Sequence, residues 1–193
     1  NGAVVIKVHG VPEGDLPVLP KIGLQLKLPV ELDQVTWYGR GPGESYIDSK
    51  QASRVGRYTK DVDDLYTPYV YPQDNGNRTD VRWVALTNLS GMGLFASATT
   101  GLEDNSLLNF SAHRFSTEEL AAAEHTDELN FEDEITFNLD YRHQALTSTS
   151  CGPAGLEKYR LNPEEFNFSV RLQPFTKDVI SPEELGRQII DDE

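Results

Sequence analysis

From residue 135 to residue 141 the chain alternates without a break. Ile135, Phe137, Leu139 and Tyr141 are apolar or aromatic, and Thr136, Asn138 and Asp140 between them are polar. A two-residue period sends one set to each face of a β-strand, so the segment reads as a half-buried strand. Residues 21–28 repeat the pattern, with Ile22, Leu24, Leu26 and Leu28 against Gly23, Gln25 and Lys27, and Pro29 ends the run. β-Branched and aromatic clusters give further expected strands at residues 3–8, 33–38, 81–87, 94–98, 107–110 and 166–173. Asn, Ser and Gly within residues 88–93 favour a turn between two of them. Only two segments carry helix starts. Ser116-Thr117-Glu118-Glu119 has the form of a capping box, with about two turns expected through Ala123. Ser181-Pro182-Glu183-Glu184 opens a second helix through about residue 190, with Leu185, Ile189 and Ile190 as its apolar stripe. Many strands and few helices specify an all-β fold, a large antiparallel β-sandwich with two short helices. The expected division is a sandwich domain over residues 1–175, then a helix and acidic tail over residues 176–193.

A chain of 193 residues can bury a substantial core. No apolar run approaches the ~20 residues that span a bilayer, so no membrane partner is expected. The start at Asn1 lacks an initiator Met and a signal-peptide pattern. It reads as a cut inside a longer protein. The net charge of −14, from 17 basic and 31 acidic residues, argues against nucleic acid as a partner, because phosphates require Lys and Arg. A single cysteine, Cys151, precludes an internal disulfide. That fits the cytoplasm, with a bacterial periplasm as the alternative. The sequons at Asn77, Asn88 and Asn167 read as chance matches.

The acidic residues invite catalytic readings that their settings do not support. Glu44 and Asp48 lie in a glycine-rich stretch, where a carboxylate holding backbone amides is the simpler role. Glu132-Asp133-Glu134 reads as a solvated turn. Gly39-Arg40-Gly41-Pro42-Gly43 lacks the Lys-Ser/Thr and helix of a phosphate loop, and its glycines read as permitting tight turns. His9, His113, His125 and His143 have no metal-ligand spacing. Asp61, Asp63 and Asp64 lack the glycine and distal glutamate of a calcium loop. No catalytic or metal residue is therefore assigned. Trp37, Tyr38, Tyr46, Tyr66, Tyr69, Tyr71 and Trp83 fit either a sandwich core and interface or a sugar-stacking surface.

Two blocks carry the most distinctive motifs. One runs Trp37-Tyr38-Gly39-Arg40-Gly41-Pro42-Gly43-Glu44-Ser45-Tyr46, with Asp48 behind it. The other runs from Tyr66 through Tyr71-Pro72-Gln73-Asp74-Asn75-Gly76-Asn77-Arg78-Thr79-Asp80 to Trp83. Leu19-Pro20-Lys21-Ile22-Gly23-Leu24 precedes them. The stretch from Phe110 to Leu120, then Leu139-Asp140-Tyr141-Arg142, then Ser150-Cys151-Gly152-Pro153 with Lys158-Tyr159 follow in order. From about Leu19 to Pro174 this series resembles the C-terminal, small-chain domain of family 2 glycoside hydrolase β-galactosidases.

The resemblance implies a super-sandwich similar to galactose mutarotases. It also implies a parent enzyme, a retaining glycosidase, that hydrolyses terminal non-reducing β-D-galactosides such as lactose. The catalytic glutamates would lie on a barrel domain absent here, so the isolated chain is expected to be inactive. The domain would wall the active site and support assembly. Its partners would be the barrel and other parent domains, the galactoside, and further copies of the parent in a homo-oligomer. The Ser150-Cys151-Gly152-Pro153 loop would approach the sugar. Many relatives carry Trp where this chain has Cys151, and a thiol gives a weaker contact than a stacked ring. Gln144, Ala145, Leu146 and Thr147 replace the usual glycine-rich run, so the loop is expected to differ in shape. Ser150, Cys151, Asn75 and Arg78 are the substrate-binding candidates. No cofactor is expected in this chain, and the Mg and Na of the parent would sit mostly in other domains. The alternatives are an autonomous carbohydrate-binding sandwich, a purely structural interface domain and a mutarotase.

Overall fold

The computed structural model describes residues 2–99, 107–146, 152 and 155–188. Its strands are β1 (Val4–Gly10), β2 (Lys21–Pro29), β3 (Gln34–Gly41), β4 (Arg54–Asp61), β5 (Arg78–Val81), β6 (Trp83–Thr87), β7 (Met92–Ala98), β8 (Leu108–His113), β9 (Glu134–His143) and β10 (Phe166–Thr176). The helices are α1 (Thr117–Ala122) and α2 (Pro182–Leu185). Among the described residues, one sheet has six strands in the order β1-β10-β7-β6-β3-β4, and the other has four in the order β2-β9-β8-β5. Every pairing is antiparallel. The fold is an all-β sandwich.

Alternation decides what lies between the sheets. Val35, Trp37, Val84, Leu86, Ala96, Phe168 and Val170 of the large sheet meet Leu28, Leu108, Phe110, Ile135, Phe137 and Leu139 of the small one. Trp37 is fully buried, with its ring edge-on to Phe110 at 5.6 Å. Burying such a set removes enough apolar surface to dominate the folding free energy.

The outer faces depart from a simple sandwich. Thr136, Asn138 and Asp140 point away from the core, yet all three are buried. Ser111 and the side chains of β2 satisfy two of them. Gln25 donates to Asn138 at 3.0 Å, Asn138 to Ser111 at 3.1 Å, and Lys27 to Thr136 at 2.9 Å. On the large sheet, Trp83, Ala85, Phe95 and Phe175 form a second apolar cluster, covered by Leu185 of α2 and by Ile180.

Residues 81–87 were expected as one strand, but the chain changes sheets at Arg82, leaving β5 in the small sheet and β6 in the large one. Asp80 adopts the left-handed region at φ 55°, which redirects the backbone. The Arg82 amide donates to the Tyr38 carbonyl at 2.8 Å and fixes the new course. Gly39 and Gly41 lie within β3 rather than in turns. A Cβ on Gly39 would come within 2.8 Å of Val81, and one on Gly41 within 2.7 Å of Tyr58, so close approach is what requires glycine there. The first helix shows half of its expected box. Ser116 Oγ accepts from the Glu119 amide at 3.2 Å, but Glu119 turns to the Asn130 amide at 2.7 Å. The second box is complete, and α2 ends at Leu185, before the expected stripe could continue.

Candidate functional site

The two motif blocks and the ends of β2 and β9 meet at one rim of the sandwich. Glu44, just beyond β3, is the hub of the first block. Its carboxylate accepts from the Gly76 amide at 2.9 Å, from the Tyr46 hydroxyl at 3.3 Å and from the Tyr69 hydroxyl in a shorter contact. One side chain thus ties block one to block two at two points, Tyr69 and Gly76. Burial and the neighbouring Glu44 charge push the Tyr46 phenol well above its ordinary range. Burial and the bond to Glu44 do the same for Tyr69. Both phenols remain neutral donors to a carboxylate.

Beside Glu44, Ser45 knits the blocks further. Its amide donates to the Asn77 carbonyl at 2.7 Å, and its Oγ lies 2.9 Å from Thr79 Oγ1. Arg40 and Lys50 both reach the carboxylate of Asp80. Burial would raise the Asp80 carboxyl, but these two cations hold it below the usual carboxylate range.

Asn75 and Arg78, both substrate-binding candidates, are buried inside this frame. Asn75 Oδ1 accepts from the Thr67 amide at 2.9 Å, and its Nδ2 donates to the Gln73 carbonyl at 2.9 Å. The guanidinium of Arg78 donates to the carbonyls of Leu65 at 2.9 Å and Pro42 at 3.2 Å, and lies 5.6 Å from the Trp37 ring. Burial lowers its pKa to about 10. These polar groups hold backbone carbonyls and amides where loops converge. His113 joins them, with Nε2 donating to the Asn75 carbonyl at 2.8 Å. Its burial lowers its pKa and keeps the ring neutral.

A second cluster closes the rim at the end of β9. Asp74 Oδ2 lies 2.9 Å from Lys21 Nζ and 3.3 Å from His143 Nε2. His143 Nδ1 donates to the Gln144 carbonyl at 2.8 Å, so both ring nitrogens face acceptors. Burial alone would lower the His143 pKa, but the bonds to Asp74 and to Gln144 raise it above its ordinary value. Burial would likewise raise Asp74, but His143 and Lys21 hold it well below the carboxylate range. Asp140 sits against these charges, 2% exposed, with Oδ2 lacking a hydrogen-bond partner. Burial pushes its carboxyl up to about 7, against the pull of Lys21 and His143.

This cluster sits at the root of the segment that carries Ser150 and Cys151. Those two residues lie outside the described residues, but both flanks are pinned. Gln144 donates from its amide to Pro20 O at 2.9 Å and accepts the Leu161 amide on Oε1 at 2.6 Å. Leu19 donates to Leu161 O at 2.9 Å. The strand before the loop and the chain after it are therefore clamped to the start of β2, beside the charged cluster. None of Lys21, Asp74, His143 and Asp140 was assigned a site role from the sequence. Lys21 and Asp74 are 53 residues apart and His143 lies 69 beyond Asp74, so no local spacing signals them.

Of the motif aromatics, Trp37, Tyr46 and Trp83 are buried, and Tyr38 and Tyr71 are exposed at 40% and 62%. Asp63, one of the clustered acids, pairs with Arg114 at 3.7 Å. Among the described residues no three His, Cys, Asp or Glu side chains are placed to hold a metal ion.

Comparison with known proteins matches the frame as a whole. Residues 1–172 match the family model described as the β-galactosidase small chain. A β-galactosidase of Photobacterium profundum is 37% identical over 90% of this chain and 16% of the relative. One from Vibrio cholerae is 42% identical over 76% of this chain and 13% of the relative. One from Pseudoalteromonas haloplanktis is 33% identical over 89% of this chain and 16% of the relative. The chain spans about one-sixth or less of the length of these relatives. It belongs to the β-galactosidase small-chain family.

Proposed function

We propose that this chain is the active-site wall of a β-galactosidase that hydrolyses terminal non-reducing β-D-galactosides such as lactose. The catalytic carboxylates lie elsewhere in the parent. A retaining mechanism needs two carboxyl groups about 5–5.5 Å apart, working on a bound sugar. The acids at this rim serve other ends: Glu44 holds phenols and an amide, and Asp74 holds Lys21 and His143. The chain alone is inactive and acts by presenting Ser150 and Cys151 to the substrate, with Asn75 and Arg78 holding the frame behind them. The parent is a cytoplasmic homo-oligomer, and any Mg or Na it uses is bound mostly by its other domains.

One observation carries this reading. The described residues on either side of Ser150 and Cys151 are pinned by the clamp of Leu19, Pro20, Gln144 and Leu161, beside Asp74 and His143. Rigid flanks are what positioning a substrate contact requires. In the parent enzyme, Cys151→Trp and Cys151→Ala are expected to change KM for lactose severalfold, in opposite directions, with kcat altered less. Unchanged kinetics in both variants would remove the loop from the active site.

A further inference from the structure

A concave site lies on the outer face of the six-stranded sheet, between α2 and strands β3, β4 and β6. It is a cleft of about 400 Å³. Its floor is the exposed ring of Tyr38 and the edge of Trp83, with centroids 6.5 Å apart and planes 41° apart. The backbone at Gly186 lies directly on Trp83: a Cβ there would come within 2.5 Å of the indole. The walls are Arg57, Arg82, Arg187 and Glu183.

The charge of this cleft runs against that of the molecule. Three guanidinium groups face one carboxylate, on a chain of net charge −14. Glu183 pairs with Arg57, which leaves two cations in excess. Arg82 stacks over Tyr38 at 5.5 Å and spends one nitrogen on the Asp80 carbonyl at 2.6 Å. Arg187 is exposed, and no hydrogen bond or ion pair engages its side chain among the described residues. It feels Glu184 only through space.

We propose that this cleft binds an anionic group carried on a pyranose ring, a carboxylated or phosphorylated sugar. Guanidinium forks recognise carboxylate and phosphate alike through paired N–H donors. An aromatic floor accepts the apolar face of a pyranose. A bare anion would leave the rings idle, and a neutral sugar would leave Arg82 and Arg187 idle. The volume lies at the size of small-ligand pockets. The site belongs in part to the C-terminal segment, beyond the residues that match the family model. It does not depend on the β-galactosidase reading.

The test is titration of the 193-residue chain with galacturonate, galactose 6-phosphate, galactose and inorganic phosphate, following the Trp83 indole signal and heat. Galacturonate or galactose 6-phosphate is expected to bind saturably, and the tighter of the two identifies carboxylate or phosphate as the natural group. Arg187→Gln is expected to weaken that binding at least tenfold. Tyr38→Ala is expected to weaken the anionic sugars and to leave inorganic phosphate unaffected. The same titrations on a chain ending at Gln188 exclude competition from Asp191, Asp192 and Glu193. Equal binding of galactose would overturn anion recognition, and equal binding of inorganic phosphate would overturn the ring floor. No binding by either chain length would overturn the site itself.

Discussion

Asp140 concentrates the residue-scale lesson. Its alternation with Leu139 and Tyr141 assigns it to the polar face of β9, and that assignment holds. A polar face ordinarily meets water, but this one is covered, and Asp140 is buried with an orphaned oxygen. Nothing in the local sequence distinguishes a solvated polar face from a covered one. Between its ordinary value of 3.8 and about 7, the folded state keeps a proton on Asp140 that the unfolded chain has lost. Stability therefore falls as pH rises through that window. His143 has the same sign. Its raised pKa contributes fully below its ordinary 6.5 and loses that contribution as pH climbs through the higher folded value. Asp74 acts oppositely, contributing above 3.8 and losing its contribution as pH drops below that. Asp140→Asn should flatten the fall between about pH 4 and 7 and gain on the order of 1 kcal/mol or more at pH 8. Thermal unfolding across pH checks it; an unchanged slope would mean that Asp140 is ionised in the fold. Glu44 was more legible. A carboxylate among glycines suggested backbone amides as partners, and the Gly76 amide is one of them.

At the scale of elements, segments with clean alternation or with a β-branched or aromatic cluster were legible, and a charged edge strand was not. β2 and β9 fall where their patterns place them. β4 escaped because Arg54, Arg57, Lys60 and Asp61 interrupt any apolar run; as an edge strand beside β3 alone, it needs little apolar surface. The expected stripe on α2 extended too far, because helical periodicity in Leu185, Ile189 and Ile190 does not reveal that the chain turns at Gly186 and Arg187. Leu185 itself is fully buried against Trp83 and Phe95. Arg171 braces the same contact by donating to the Leu185 carbonyl at 3.0 Å. Leu185→Ala should cost about 2–5 kcal/mol. For a chain of this size, that lowers Tm by roughly 2–4 °C per kcal/mol. Tryptophan fluorescence during thermal unfolding reads this directly. A loss under about 0.5 kcal/mol would show that the C-terminal segment only rests on the sheet.

At the scale of the molecule, the sandwich is a frame with its polar investment at one rim. The ordered motif series was visible in sequence because it recurs as a family pattern. The convergence of Lys21, Asp74, Asp140 and His143 was not, because it is made by sheet pairing across long separations. On the proposed reading, the frame presents a substrate contact and leaves bond cleavage to the rest of the parent. The most direct test is to mix the 193-residue chain with the parent enzyme lacking this segment and to assay hydrolysis of a β-galactoside. Neither part should be active alone, and activity should appear on mixing, saturating with the added chain. Hydrolysis by this chain alone, or full activity of the remainder without it, would contradict the account.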